Sequence, residues 1–258
     1  MSMFLTLAFL FFVGSVGGWV LEVFFRRFFS SANPERKWIN PGFCIGPYVP
    51  LYGYGLCILY LIASLEQLNL IQNPVWNKIV LFLFMALCMT AIEYIAGIVS
   101  LKLLKVRLWD YTNQWGNIQG IICPQFSLIW ALLGAVYYFL IHPYILGALD
   151  WLSRNLAFSF VIGLFFGVFI IDSVYSAHLI TKIKAFAEDN HVVVKYENLK
   201  AQVRSFQDKN AMKHHFFFPL RSERPLTEHL RDMKLSLEEK IREKKQREET
   251  EKGKTLGN

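Results

Sequence analysis

The sequence predicts an all-α, polytopic membrane bundle of about five spans, with broken or re-entrant cytoplasmic segments and a helical cytoplasmic tail. Three observations predict it. First, charge is segregated: residues 1–181 hold only 9 of the 27 Lys+Arg and 7 of the 20 Asp+Glu, and residues 182–258 hold the rest. Second, long stretches carry no charge at all, among them Met1–Leu21, Trp38–Leu65 and Tyr111–Leu149. Third, basic residues gather in alternate loops. Soluble globular domains do not concentrate charge in this way. The chain therefore divides into a transmembrane bundle, residues 1–181, and a basic, amphipathic, partly disordered tail, residues 182–258.

A helix needs about 20 mostly apolar residues to cross the hydrocarbon core. On that length the spans fall near 3–25, 48–66, 78–101, 119–141 and 156–179. The first is not a secretory signal, because no basic residue precedes it and Arg26 and Arg27 follow it. The loop after the first span holds Arg26, Arg27, Arg36 and Lys37, and the loop after the third holds Lys102, Lys105 and Arg107; the alternate loops hold only Lys78 and Arg154. The positive-inside rule then predicts a multi-pass protein of the cell membrane, N-terminus outside and C-terminus cytoplasmic. Cys44, Cys57, Cys88 and Cys123 lie in or beside apolar segments without CxxC spacing and read as reduced small hydrophobes.

The second span begins badly for a helix. "NPGFCIGPYVPLYGYG" (40–55) carries Pro41, Pro47 and Pro50 and four glycines, and proline removes backbone donors and keeps its predecessor out of the α region. Lipid tolerates no unpaired backbone, so this chain either packs within protein or a wet cavity, or lies at the interface as a plain loop. "RLWDYTNQWGNIQG" (107–120) has the same character before the fourth span. An interfacial aromatic belt explains Trp109, Tyr111 and Trp115, but not Asn113, Gln114, Asn117 and Gln119, whose amides need partners if buried. A shift of 71 positions aligns Glu22 with Glu93, Arg36 with Arg107 and Trp38 with Trp109. That suggests two parallel units, each reading span, acid, basic loop, broken segment, span.

Glu22, Glu93 and Asp172 fall inside spans, where a carboxylate costs roughly 2.5–3.5 kcal/mol on insertion scales. Gly14, Gly18 and Glu22 share one helical face, as do Ala86, Thr90, Glu93, Gly97 and Ser100. Small residues there let helices approach closely, so the acids point into the bundle. The structural alternative is pairing with a nearby cation or capping of freed backbone donors; Glu22 has Arg26 one turn away. For Glu93 the nearest downstream cation, Lys102, is about 13 Å along a helix. A functional role follows for Glu93: binding a cationic group, a metal ion or a proton.

The motifs "GWVLE" (18–22), "NPGF" (40–43), "GPYVPLYG" (46–53), "EYIAG" (93–97), "RLWDY" (107–111) and "NIQG" (117–120), with Cys123 after them, resemble the CmpB, or type IV, group of bacterial ABC-transporter permeases. The likeness covers about residues 10–180. It implies a membrane permease fold and a separate ATPase subunit as partner, since no GxxxxGK[ST] motif is present. Pro41 stands where the group carries a basic residue. The candidate polar core is then Glu22, Asn40, Tyr52, Glu93, Trp109, Asp110, Tyr111 and Asn117, with Gly46, Pro47, Pro50, Gly53 and Gly120 shaping the backbone. No catalytic residue, metal ligand set or cofactor is indicated.

In the tail, Tyr196, Leu199, Val203 and Phe206 repeat at a/d spacing, and so do Leu230, Met233, Leu237 and Ile241. Such helices either lie on anionic membrane lipid or pair as a coiled coil to give a homo-oligomer. The last stretch, from Glu238, has the composition of a frayed end. Nucleic acid is not an expected partner, because basic and acidic residues interleave. Three functions fit: a permease-like transport component, an intramembrane enzyme acting on a lipid or lipid-linked head group, and a scaffold whose tail recruits a partner.

Overall fold

The computed structural model describes residues 1–30, 33–68, 71–210, 212 and 216–255. Among these residues, five helical stretches are long and apolar enough to cross a membrane: Met3–Phe28, Pro50–Leu68, Pro74–Leu103, Pro124–Arg154 and Leu156–Asp189. The chain is an all-α polytopic bundle.

Helix α1 (Met3–Phe28) starts where the Ser2 side chain accepts from the amide of Leu5, and ends on Arg26 and Arg27, whose charges suit the C-terminal end of the helix dipole. Helix α2 (Pro50–Ser64) has Pro50 in its first turn, where a missing N–H costs nothing. It lies antiparallel to α1 at very short range: a Cβ on Gly53 would sit 2.2 Å from Ser15 Oγ and 2.8 Å from the carbonyl of Phe11. The glycines thus set the spacing of the first pair. Helix α3 (Pro74–Leu103) is capped by Asn73, which accepts from the amides of Val75 and Trp76.

The fourth span differs from the expectation at both ends. Residues 119–123 are loop, and helix α4 (Pro124–Val136) begins at a proline. Its far end does not stop at 141. A π-helical turn, Tyr137–Ile141, leads into α5 (His142–Arg154), so the stretch runs on past Pro143. A proline inside a helix orphans a carbonyl and crowds the preceding turn; the wider i→i+5 turn absorbs both. Helix α6 (Ser159–Asp189) crosses the composition break at 181 without interruption.

Two cores result. One lies within the spans and includes Leu10, Met85 and Leu152, all wholly buried. The other lies at the end of the bundle that carries the C-terminal segment. There β1 (Val106–Arg107) pairs in parallel with β2 (Val194–Lys195). Helices α7 (Tyr196–Lys209) and α8 (Leu226–Thr255) close over them, burying Val106, Ile183, Val194, Leu199, Val203 and Leu230 completely. Both a/d stripes of the tail therefore pack within the chain, against each other and the end of α6; the side chain of Ile241 lies outside the described residues. Helix α8 continues to Thr255, through the stretch whose composition suggests fraying.

Candidate functional site

The first broken segment sits deep among helices. The amide of Val49 donates to the carbonyl of Ser15 at 2.9 Å, mid-length along α1. Asp172, near the middle of α6, accepts from the amides of Ile45 (3.1 Å) and Gly46 (2.7 Å), from the Ser176 hydroxyl (2.9 Å) and from the Tyr48 hydroxyl. Asn40 does the complementary task. Its amide nitrogen donates to the carbonyls of Cys44 (3.2 Å) and Ile45 (2.9 Å), while its oxygen accepts the indole N–H of Trp19 at 2.7 Å. Irregular backbone at this depth is tolerable because these side chains replace the missing helical partners. Gly42, at φ +72°, makes the turn, and Gly46 leaves room for the Tyr48 ring, which a Cβ would meet at 2.3 Å. Pro47 carries the chain toward Pro50, which opens α2. The helical part of α2 is short, about 22 Å at 1.5 Å per residue, and the broken segment fills the remaining depth beside α1.

Two carboxylates flank the start of α2. Glu22 accepts from Arg26 Nε at 2.9 Å, as its sequence neighbour suggests, and from the Tyr52 hydroxyl at 2.8 Å. Glu93 on α3 is 3% exposed; its Oε1 accepts from the Tyr111 hydroxyl at 3.1 Å, and its Oε2 has no hydrogen-bond partner among the described residues. The Trp130 indole faces the same carboxyl group from α4 without closing a bond, and Glu22 lies within electrostatic reach. Aromatic rings wall this pair in: Tyr52 packs against Trp130 with centroids 5.1 Å apart, and Tyr111 stacks on Phe126 at 4.3 Å and 9°. One turn beyond Glu93, the Trp109 and Ile121 side chains close on Gly97, where a Cβ would lie 2.2 Å from Ile121.

The second broken segment is mostly knitted to itself. Asp110 accepts from Arg107 (3.1 Å), from the amide and hydroxyl of Thr112 (3.2 and 2.8 Å), and forms an ion pair with Lys195 at 2.6 Å. Burial works against that charge, but Lys195 and the Thr112 donors hold the Asp110 carboxyl below the usual carboxylate range. Asn117 donates to the carbonyls of Thr112 and Gln114 and accepts from the amide of Gly120. Gly120, at φ +67°, leaves space for Arg107, whose Nη1 would lie 2.4 Å from a Cβ there. Trp109 donates its indole N–H to the carbonyl of Ile121 at 2.8 Å. Of the aromatics read as a belt, Trp109 and Tyr111 turn inward, and Trp115 is 85% exposed.

The structure thus brings Glu22, Tyr52, Glu93 and Tyr111 into one polar cluster. It places Asn40 in the cradle of the first segment, and Asp110 and Asn117 in the internal framework of the second. Asp172, singled out in the sequence as an acid inside a span, is a tether for the broken chain, the capping role that is one of its two readings. Three contributors escape the sequence reading. Trp130 completes the aromatic wall. Glu197 and Lys200 reach in from α7: Arg26 pairs with Glu197 at 2.9 Å, and Glu197 pairs with Lys200 at 2.9 Å. Lys200, 2% exposed, donates to the carbonyls of Asn40 (3.3 Å) and Gly42 (3.4 Å). Burial opposes the charge of Glu197, yet Arg26 and Lys200 prevail and hold its carboxyl below the ordinary range. A signal for Lys200 existed: it shares the buried face of Tyr196, Leu199 and Val203.

No curated protein and no solved structure matches the chain. Residues 9–177, roughly two thirds of the sequence, match the model of the family described as "Putative ABC-transporter type IV", and the chain belongs to that family.

Proposed function

We propose that this chain is the permease-like, membrane-spanning component of a transporter, and that its polar site is the cluster of Glu22, Tyr52, Glu93 and Tyr111 on the cytoplasmic side of the bundle. The observation that carries this reading is the Glu93 carboxyl group, 3% exposed, with one oxygen that has no partner among the described residues. Buried ionisable groups in a bundle are costly and mark pathways for ions, protons or cationic substrates. The setting agrees. Short helices that begin at mid-depth after unwound chain form binding sites in many transporters, and α2 begins in this way beside Glu22. In this reading the ligand is a cationic group drawn by the Glu93 carboxylate, Glu22 being paired with Arg26, and walled by Tyr52, Tyr111 and Trp130, whose rings favour cations.

A separate subunit for ATP hydrolysis is in keeping with the family description and with the lack of a GxxxxGK[ST] motif in these residues. The basic loops after α1 and α3, together with the basic residues beyond 182, favour an outside N-terminus and a cytoplasmic C-terminal lobe, and in this reading such a subunit docks on that side. The test is solute movement in inverted membrane vesicles from cells making the wild-type chain or Glu93→Gln, with a panel of cationic and neutral solutes. A cationic solute moved by the wild type and not by the variant is the expected result. Equal movement by both removes Glu93 from the pathway.

A further inference from the structure

A crevice of about 260 Å³ opens where the loop after α1 meets α7, walled by Lys37, Trp38, Asn40, Arg204, Gln207 and Phe216. Most of its polar groups are already engaged. The Asn40 side chain is used by Trp19, Cys44 and Ile45. Gln207 donates to the carbonyl of Arg221 at 2.7 Å. Lys37 pairs with Glu35 (2.9 Å) and Asp208 (3.1 Å), so its charge is largely answered. Arg204 is different. It feels Glu197, Glu35 and Asp208 electrostatically but closes no hydrogen bond with a described residue, and burial pushes its guanidinium down despite those carboxylates. A half-buried guanidinium presents a fork of donors suited to a phosphate, and leaving it unmatched is unfavourable.

The wall beside it is aromatic. Trp38 is 50% exposed, meets Phe24 and Phe28 edge-on at 5.7 and 6.2 Å, and carries the Arg27 guanidinium 5.3 Å above its ring. Exposed Trp and Phe at the end of a spanning helix mark the level where head groups meet water. The volume is several times that of one water, about 30 Å³, which leaves room for a phosphate and the first atoms of its ester arm.

We propose that this crevice is a binding site for a phosphate-ester group. The Arg204 fork holds the phosphate, Lys37 stands at the rim, and the ester arm lies along Trp38 and Phe216. The same chemistry is offered by a bilayer phospholipid and by a soluble phosphate ester, and the experiment separates them. The full chain, purified in uncharged detergent, is titrated with short-chain phosphatidic acid, with the matching diacylglycerol, and with glycerol phosphate, and thermal unfolding is followed. Phosphatidic acid is expected to raise the melting temperature, with binding about tenfold weaker in Arg204→Gln, the loss of one charge-assisted contact, and less affected in Arg204→Lys. Glycerol phosphate acting as strongly as phosphatidic acid assigns the site to a soluble ligand. An equal shift from diacylglycerol, or a response unchanged in Arg204→Gln, overturns the proposal.

Discussion

Lys200, on α7, donates to the main-chain oxygen of Asn40 at 3.3 Å across 160 residues of sequence, and is itself 2% exposed. The same ammonium pairs with Glu197, which pairs with Arg26, which pairs with Glu22. Four charges thus run unbroken from the C-terminal lobe to the polar cluster between the spans.

Breaking that chain at Lys200 leaves Glu197 with Arg26 alone and takes the donor from two carbonyls. Lys200→Met is expected to destabilise the docking of α7 by about 2–3 kcal/mol, the scale of a lost charged hydrogen bond and below that of a fully stranded buried charge. Hydrogen exchange over residues 196–209 should rise sharply while the amides of α1 and α3 keep their protection.

Acid should release the lobe. Glu197 and Asp110 both ionise more readily in the folded chain than when free, and each pairs across the boundary, with Arg26 and with Lys195. A carboxyl with a depressed folded-state pKa contributes stability that is complete above its unfolded value, about 4, and is lost as pH falls through the folded value. Proteolysis between α7 and α8 should therefore accelerate below about pH 4, and Glu197→Gln should cleave at the faster rate at neutral pH, with a weaker acid dependence.

Asp172→Asn keeps the size of the tether and removes its charge and half of its accepting capacity. Ile45, Gly46, Tyr48 and Ser176 then compete for one oxygen. A loss of about 3 kcal/mol is expected, the scale of a hydrogen bond to a charged group, read as a lower melting temperature in detergent. Asp172→Leu should be worse, since it leaves every donor buried.

Two glycines offer a matched pair. Gly53→Ala drives a methyl into the Phe11 carbonyl and should cost about 1–3 kcal/mol by overpacking. Nothing lies within 4 Å of a Cβ on Gly17, so Gly17→Ala should be neutral or stabilising by about 1 kcal/mol through helix propensity. Thermal unfolding of both variants under one condition checks the contrast.

Glu93 should show the opposite balance. Glu93→Met replaces a buried group, one of whose oxygens has no partner among the described residues, by an apolar chain of similar length, and stability should rise by about 1 kcal/mol, since an unsatisfied buried polar atom is removed. Solute movement in vesicles should disappear in the same variant.

The spans were legible because a membrane reads composition: runs without charge and alternate basic loops need no tertiary information. The broken segments were legible too, since proline and glycine act on their own backbone. Pairings over long separations were not. Nothing local marks Asp172 as the acceptor for Ile45 and Gly46, or Lys200 as the donor to Asn40. The overrun at Pro143 was hidden because a π turn depends on how Tyr137 to Ile141 pack, not on their propensity. Asp110 and Asn117 read as polar-core residues by type; their bonds to Thr112, Gln114 and Gly120, which hold the loop together, follow from its geometry and were not legible.

The tether between Asp172 and Gly46 also constrains how the protein is made. Gly46 leaves the ribosome 126 residues before its acceptor. At about 5–20 residues per second, its amide waits roughly ten seconds for α6. During that interval the amides of Ile45 and Gly46 lack their acceptor, while Val49 already has Ser15 and the Cys44 and Ile45 carbonyls already have Asn40. The segment is therefore held first by α1 and by itself, and its last bonds close only when the fifth span arrives.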